Sequence, residues 1–276
     1  MASLKSEIAE ALAASGLAPL HRYGQNFMID ERAVSALIEA LGAAPGVRVA
    51  EVGPGTGVLT RRMIEAGAEV LAVEIDRGLA AHLTTTLVPR GLQLVEGDCL
   101  ASKTRLHPAL EAFADQPWRL GANLPYDVAL PVILNAVALP RPPDRLVVTI
   151  QLEAAQRLLS CPGDDAWGAT AATLQAAGTP KLVRKLGPGS FFPPPRVDSA
   201  ILAWTPERVL PAGFGTWCRT VLPTAARSSP GPCGMRASPG NRPSPPARPP
   251  ASTRSGVWNP WIGQSWWRCT ASVRNR

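Results

Sequence analysis

Short apolar, β-branched runs alternate with longer amphipathic stretches from the start of the chain to about residue 204. The short runs have the length and composition of buried strands, and the amphipathic stretches have the 3.6-residue period of helices packed on one face. This alternation is typical of βαβ units around a parallel sheet. It predicts strands at residues 47–52, 70–74, 92–96, 119–122, 145–151, 182–186 and 199–204, and helices at 3–14, 31–41, 58–65, 77–85, 130–138, 152–159 and 168–177.

The alternating pattern stops near Pro211, where proline and arginine become frequent. Residues 228–232 and 242–250 contain too many prolines to form a helix or a strand. We therefore expect a Rossmann-like α/β domain with a seven-stranded sheet over residues 1–206. Residues 207–276 are expected to form an atypical, disordered Pro/Arg-rich C-terminal segment.

The charge of the chain is concentrated in that segment. The whole chain carries a formal net charge of +7, which can indicate nucleic-acid binding because basic surfaces neutralise phosphates. After Pro211, however, there are nine arginines and no Asp, Glu or Lys, so residues 1–210 carry a net charge of −2. The overall basicity is therefore no argument for an RNA-binding fold.

The composition of the segment also suggests how it arose. It contains five tryptophans and only arginine as a cation, whereas functional basic tails normally mix lysine with arginine and avoid tryptophan. We interpret it as an out-of-frame translation of GC-rich DNA, which resequencing the 3′ end of the gene would test. The alternative is a genuine arginine-rich RNA-binding extension.

Several classes of protein are excluded by composition. There is no apolar run long enough to span a membrane, and residues 1–14 lack the build of a signal peptide. The five cysteines form no Cys-x-x-Cys pair, and three histidines offer no zinc-ligand spacing. We expect a cytoplasmic protein with reduced thiols and no metal site.

Three motifs follow successive predicted strands. Gly53 and Gly55 lie in a glycine-rich turn between a strand and a helix, where a backbone can approach a ligand closely. Glu74 ends the next strand and suits a ribose diol, and Asp98 follows the third, where a carboxylate can accept from an adenine amine. The turn departs from the G-x-G-x-x-G spacing of a pyrophosphate cradle. It therefore favours S-adenosylmethionine over a nicotinamide dinucleotide.

The fourth motif is Asn123-Leu124-Pro125-Tyr126 after the fourth long strand. An adenine amine is a poor nucleophile, so an enzyme that methylates it must hold and polarise the nitrogen. The Asn123 side-chain oxygen and a carbonyl of the Leu124-Pro125 turn can accept both amine hydrogens, and Tyr126 can stack on the base. A structural Asn-Pro turn beside a packed tyrosine is the alternative.

With these motifs in place, the sequence resembles the small-subunit ribosomal RNA adenine N6,N6-dimethyltransferases. The resemblance rests further on residues 23–30, which are similar to the family's Gly-Gln-Asn-Phe box, on residues 151–168, and on the Phe-x-Pro-x-Pro-x-Val-Asp-Ser box at 191–199. It implies a class I methyltransferase fold in which Phe191 faces Tyr126 across the target adenine. The implied cofactor contacts are Asn26, Met28, Gly53, Gly55, Glu74, Asp98 and Asn123, and the catalytic set is Asn123, Leu124, Pro125, Tyr126 and Phe191.

The resemblance also implies a substrate and partners. We expect dimethylation of two adjacent adenosines in small-subunit RNA, within a pre-ribosomal 30S particle and by a monomer. Asp127 stands where the family usually has Asn, and the family's helical carboxy-terminal domain has no counterpart after Leu210. The alternatives are a large-subunit methyltransferase of the macrolide-resistance type and a non-catalytic assembly factor. A nicotinamide dehydrogenase would leave residues 123–126 unexplained.

Overall fold

The computed structural model describes residues 3–19, 25–215, 218 and 220, all within the first of the two units into which the chain divides, Met1–Cys233. The helices are α1 (Leu4–Ala14), α2 (Glu31–Leu41), α3 (Val58–Glu65), α4 (Arg77–Thr86), α5 (Pro108–Phe113), α6 (Tyr126–Val137), α7 (Leu152–Leu159) and α8 (Ala169–Ala177). The strands are β1 (Phe27–Met28), β2 (Arg48–Val52), β3 (Glu69–Glu74), β4 (Gln93–Glu96), β5 (Leu100–Ser102), β6 (Arg105–Leu106), β7 (Arg119–Asn123), β8 (Arg145–Gln151), β9 (Gly178–Leu186), β10 (Phe191–Phe192) and β11 (Ser199–Pro206).

A seven-stranded sheet organises the described residues, with the strand order β4-β3-β2-β7-β8-β11-β9. The first five strands in this order are parallel, and β11 and β9 are antiparallel to their neighbours. The predicted seven-stranded α/β fold is therefore confirmed. Because β2, β3, β4 and β7 end at the same edge, the four motifs that follow them are brought to one side of the sheet.

Side-chain alternation along the strands separates two hydrophobic clusters. In β8, Leu146 and Val148 face a cluster that includes α6, α7 and α8, while Val147 faces one that includes α2 and α3. Since successive strand residues point to opposite faces, both faces of the sheet are covered by helices. This three-layer arrangement buries the sheet and leaves only its edges for ligands.

Local signals explain the ends of the best-predicted helices. Asp30 caps α2 by accepting the backbone N–H groups of Arg32 and Ala33, and Gly42 ends the helix in the left-handed conformation, with φ of 66°. The bounds predicted for α2, α3 and α7 match the structure.

Two predicted boundaries are wrong by four residues. Helix α6 begins at Tyr126 rather than at residue 130, since Pro125 fixes an extended N-cap and Asp127 places a negative charge in the first turn. Strand β9 begins at Gly178 rather than at residue 182. It accommodates Pro180 because it is an edge strand, where a missing N–H costs little.

Some short elements were not predicted at all. Strands β1 and β10 pair antiparallel and join the beginning of the domain to its late proline-rich loop, with Met28 opposite Phe191. The hairpin β5–β6 and helix α5 also lack a sequence signal long enough to detect. In the part of the chain that the structure describes, no helix has the length and apolar composition needed to cross a bilayer.

Candidate ligand and base-binding site

A cavity lies at the edge of the sheet where β2, β3 and β7 end. It brings together residues from β1, the glycine-rich turn, the end of β3 and the turn between β7 and α6. Its lining includes the predicted site residues Asn26, Met28, Gly53, Gly55, Glu74, Asn123, Leu124, Pro125 and Tyr126. Motifs separated by almost 100 residues in the sequence therefore surround one space.

The glycine-rich turn lets neighbouring side chains pack closely against its backbone. Gly53 and Gly55 have φ values of +65° and +61°, which residues with a side chain rarely adopt. A Cβ on Gly55 would lie 2.9 Å from the Phe27 ring, and one on Gly53 would lie 3.6 Å from Pro125. The absence of side chains here lets Phe27 and Pro125 pack closely against the turn that lines the cavity.

Glu74 is a buried carboxylate at the rim of this turn. Its Oε2 accepts the Gly55 N–H at 3.0 Å, and its Oε1 accepts the Asp76 N–H at 2.9 Å. Burial raises the pKa of Glu74, and the bonds from Asp76 and Gly55 oppose that rise because they favour the charged form. The side chain is therefore fixed at the end of β3 in an orientation set by the backbone.

Glu51 is a second buried carboxyl in the cavity lining, and the sequence reasoning did not select it as a site residue. It is 1% exposed and accepts the Thr60 hydroxyl at 2.6 Å. Burial raises its pKa to about 8, the Thr60 bond acts against this rise, and the charge of Glu74 adds to it. Its position directly before the glycine-rich turn was the signal that could have identified it.

Asn123 has a defined amide orientation. Its Nδ2 donates to the backbone carbonyl of Asn26 at 2.8 Å, so its Oδ1 points away from that bond and is available as an acceptor. In the adjoining turn, the Pro125 carbonyl accepts the Val128 N–H, while no described backbone N–H donates to the Leu124 carbonyl. No described donor therefore occupies the Asn123 Oδ1 or the Leu124 carbonyl, and their role as a pair of acceptors for an amine stays a prediction.

Tyr126 is half-buried at the first position of α6. Its hydroxyl lies 2.7 Å from the hydroxyl of Ser199, which is fully buried at the start of β11. Burial raises the pKa of Tyr126, and the bond to Ser199 acts against this rise. Ser199 belongs to the late box, but no feature of the sequence indicates that its hydroxyl contacts this phenol.

Two predicted residues lie outside the cavity lining. Asp98 is exposed, and its Oδ1 accepts the Leu100 N–H at 2.9 Å, so the side chain closes a local turn after β4. Phe191 is 2% exposed and packs in the cluster that contains Met28 and Leu186. Their assignment to the adenine and to the target base stays a prediction. Tyr23 and Gly24 of the amino-terminal box lie outside the described residues.

A family model and two named relatives all indicate the same protein family. A model of the family described as ribosomal RNA adenine dimethylase matches residues 20–211. A protein of Thermosynechococcus vestitus named ribosomal RNA small subunit methyltransferase A is 38% identical over 207 residues, which cover 73% of this chain and 75% of that protein. A protein of the same name from Opitutus terrae is 41% identical over 196 residues, which cover 70% of this chain and 69% of that protein.

Solved structures support the fold. A dimethyladenosine transferase from Plasmodium falciparum superposes with a TM-score of 0.58 at 24% identity, covering 66% of this chain and 63% of its own. The 23S ribosomal RNA methyltransferase ErmE also gives a TM-score of 0.58 at 24% identity, covering 71% and 76%. At this identity the likeness shows the shared α/β architecture alone.

Proposed function

The chain belongs to the ribosomal RNA adenine dimethylase family, and from that membership we propose that it transfers methyl groups to N6 of two adjacent adenosines in small-subunit ribosomal RNA. We propose S-adenosylmethionine as the methyl donor. The relatives named small subunit methyltransferase A favour this RNA over the large-subunit RNA of the macrolide-resistance enzymes.

The observation that carries the proposal is the orientation of Asn123. Because its Nδ2 is held by the Asn26 carbonyl, its Oδ1 can accept one hydrogen of an incoming amine, and the Leu124 carbonyl can accept the other. Two acceptors on the two hydrogens favour a pyramidal nitrogen whose lone pair is free to attack. A purely structural Asn-Pro turn would not require this free pair of acceptors.

The cavity fits the proposed cofactor by the chemistry of its lining. Glu74 is a fixed carboxylate suited to a ribose diol, and Gly53 and Gly55 in the lining have no side chain that could enter the cavity. S-adenosylmethionine supplies an electrophilic methyl group, so no metal or strong general base is needed for the transfer. Asn26, Met28 and Gly53 complete the proposed contacts in the cavity, with Asp98 proposed for the adenine amine.

The target base needs a platform as well as acceptors. We propose that Tyr126 stacks on the adenine from one side, since its hydroxyl is anchored to Ser199 and its ring is only half-buried. Pro125 fixes the turn that precedes this ring, because its φ is −57°. Phe191 is proposed for the opposite side, and its 2% exposure means that this role needs a rearrangement of the β1–β10 pair.

The remaining proposals concern the whole particle and the chain itself. We propose that the protein acts as a cytoplasmic monomer on a pre-ribosomal 30S particle. We also propose that residues 1–206 form the methyltransferase domain and that residues 207–276 replace the family's helical RNA-binding domain. Most of that segment lies outside the described residues.

The direct test incubates the full chain and labelled S-adenosylmethionine with small ribosomal subunits that lack the modification, and then analyses the RNA by mass spectrometry. We expect N6,N6-dimethyladenosine at two adjacent positions. Large-subunit particles processed in parallel should stay unlabelled, and labelling of those particles instead would assign the macrolide-resistance activity.

Two substitutions separate catalysis from cofactor binding. Asn123→Ala should abolish transfer while the protein still binds the cofactor, whereas Glu74→Ala should mainly weaken cofactor binding. Cofactor binding by the wild-type chain without any methylated RNA would identify a non-catalytic assembly factor. Comparable turnover by Asn123→Ala would contradict the role given to Asn123.

A further inference from the structure

One edge of the sheet, three strands from β7, carries several cations. Strand β9 is the last strand of the sheet, and it exposes Lys181 and Lys185 and half-exposes Arg184. Arg196 is exposed in the loop that leads into β11. We call these four residues the basic edge. None of them takes part in an ion pair with another residue that the structure describes.

The charge of the basic edge stands out against the rest of the domain. Residues 166–197 contain these four cations and no Asp or Glu, whereas the remainder of residues 1–210 has 15 basic and 21 acidic side chains, a net charge of −6. A positive strip on a negative body concentrates the attraction for an anion at one place. The nearest acid along the chain, exposed Asp198, forms no ion pair with Arg196 in the described structure.

The register of the strands places this strip beside the catalytic turn. Lys185 lies opposite Ala200, one position from the pair of Leu186 with Ser199, and Ser199 contacts Tyr126. Lys181 lies opposite Ala203, three positions along β11 from Ala200, which puts it about 10 Å further along the sheet at 3.3 Å per residue. The cations therefore line the edge strand from both of its faces, and Lys185 is the one on β9 nearest to the proposed base-binding ring.

Resting on the proposed function, we propose that the basic edge binds the phosphate backbone of the substrate RNA and guides the strand that presents the target adenosines to Tyr126. Unpaired Lys and Arg side chains are the usual phosphate contacts and position RNA without reading its sequence. Exposed Leu182 and Val183, at 41% and 39%, lie between the cations. They give the strip an apolar surface that riboses can contact.

Lysines on an edge strand have another use, because they prevent pairing with a second sheet. That role needs charged side chains on the edge strand but no RNA partner. It does not explain Arg196, which lies in a loop outside the strand. Phosphate binding explains both the edge lysines and Arg196. The two explanations predict different responses to salt.

The test measures binding of the full chain to small subunits lacking the modification, across a range of salt concentrations. In Lys185→Gln/Arg196→Gln we expect the slope of log affinity against log salt to fall in magnitude by about 1.4 to 1.8, since each phosphate contact contributes about 0.7 to 0.9. The KM for the particles should rise while the affinity for S-adenosylmethionine stays unchanged.

Two matched variants complete the design. Arg90→Gln/Arg141→Gln removes two exposed charges, of which Arg90 pairs with Glu65, that precede β4 and β8 at the end of the parallel strands away from the cavity, and it should keep the wild-type slope. Lys185→Arg/Arg196→Lys keeps both charges and should keep the slope as well. An unchanged slope in Lys185→Gln/Arg196→Gln overturns the inference, and self-association of that variant would then assign the lysines to edge protection.

The proposed function and this inference fail in different ways. If the wild-type chain forms no dimethyladenosine, the proposed function is wrong whatever the binding slope. If it forms the product and Lys185→Gln/Arg196→Gln binds and reacts like Arg90→Gln/Arg141→Gln, only the role of the basic edge is wrong.

Discussion

Among the described residues, Ser199 is the hydrogen-bond partner of the Tyr126 hydroxyl, and this bond helps to determine where the proposed stacking ring lies. We expect Ser199→Ala and Tyr126→Phe each to lower kcat/KM for the particles by a few-fold, because one hydrogen bond contributes about 0.5 to 1.5 kcal/mol. The double variant should be no worse than either single variant, since both remove the same bond. Steady-state kinetics of the four proteins measure this coupling.

A purely structural role of Ser199 would give a different result. In that case the effects on kcat/KM would add in the double variant, and thermal unfolding would account for them. Ser199→Thr, which keeps the hydroxyl, should recover most of the activity if the bond positions the ring. Affinity for S-adenosylmethionine is the internal control and should be the same in all of these proteins.

Glu51 provides a pH-dependent prediction at the same scale. Burial raises the pKa of Glu51 from its ordinary value of 4.5 to about 8. Between pH 4.5 and about pH 8, the Glu51 carboxyl is therefore ionised in the unfolded chain and protonated in the folded chain. The unfolded state then binds fewer protons, and the stability that the protonated carboxyl contributes is lost as the pH rises through this window. We expect Glu51→Gln to gain free energy of unfolding relative to wild type as the pH rises.

Urea denaturation of both proteins at about pH 5 and pH 8 measures this difference. Glu74, whose pKa burial also raises, is present in both proteins, so its effect largely cancels. A difference in free energy that does not change with pH would mean that Glu51 is ionised in the folded protein.

The position of a site residue could be predicted where it follows a strand, and its contacts could not be predicted where the partner lies on a distant element. The positions of Gly53, Glu74 and Asn123 at one edge followed from the order of strands alone. The contact between Tyr126 and Ser199 depends on the register of β11 against β8. No spacing in the sequence specifies such a register.

At the scale of elements, Asp76 connects a helix cap to the cavity. Its Oδ1 accepts the N–H groups of Gly78 and Leu79 at the start of α4, and its own N–H donates to Glu74. Asp76→Ala should therefore lower the free energy of unfolding by about 1 kcal/mol. This corresponds to a Tm lower by about 2 to 4 °C in a domain of this size.

Asp76→Asn is the matched control, because an asparagine oxygen can cap the same two N–H groups. We expect its Tm to stay near that of wild type. The bond from Gln25 to the other oxygen of Asp76 can also be kept by an amide after rotation of Gln25. Equal losses in both variants would show that charge, and not the cap, stabilises α4.

The bounds of helices with a clear amphipathic pattern were predicted well, and very short strands were not predicted at all. Helices α2 and α3 have both a clear apolar face and a distinct end, and their bounds were predicted correctly. Strands β1 and β10 contain two residues each, so their pairing is a tertiary contact with no local signal. Helix α6 begins before its apolar run because Pro125 sets its start.

At the scale of the whole molecule, the buried core of the described structure and the excess positive charge lie in different parts of the chain. The cavity lining and almost all the buried hydrophobic residues of the described structure lie before residue 211, while nine arginines follow it. A segment with many arginines and no acids binds RNA phosphates of any sequence. Its affinity for RNA therefore says little about recognition of two particular adenosines.

A chain that ends at Cys233, the boundary of the first unit, tests this separation. It loses seven of the nine arginines. We expect its Tm to stay within about 3 °C of wild type, a change of less than about 1 kcal/mol, and its affinity for S-adenosylmethionine to be unchanged. Affinity for an unrelated RNA should fall and depend less on salt, because fewer phosphates are neutralised. Mass spectrometry should find dimethyladenosine at the same positions as with the full chain, and loss of that product at saturating particle concentration would show that the segment is a functional RNA-binding extension.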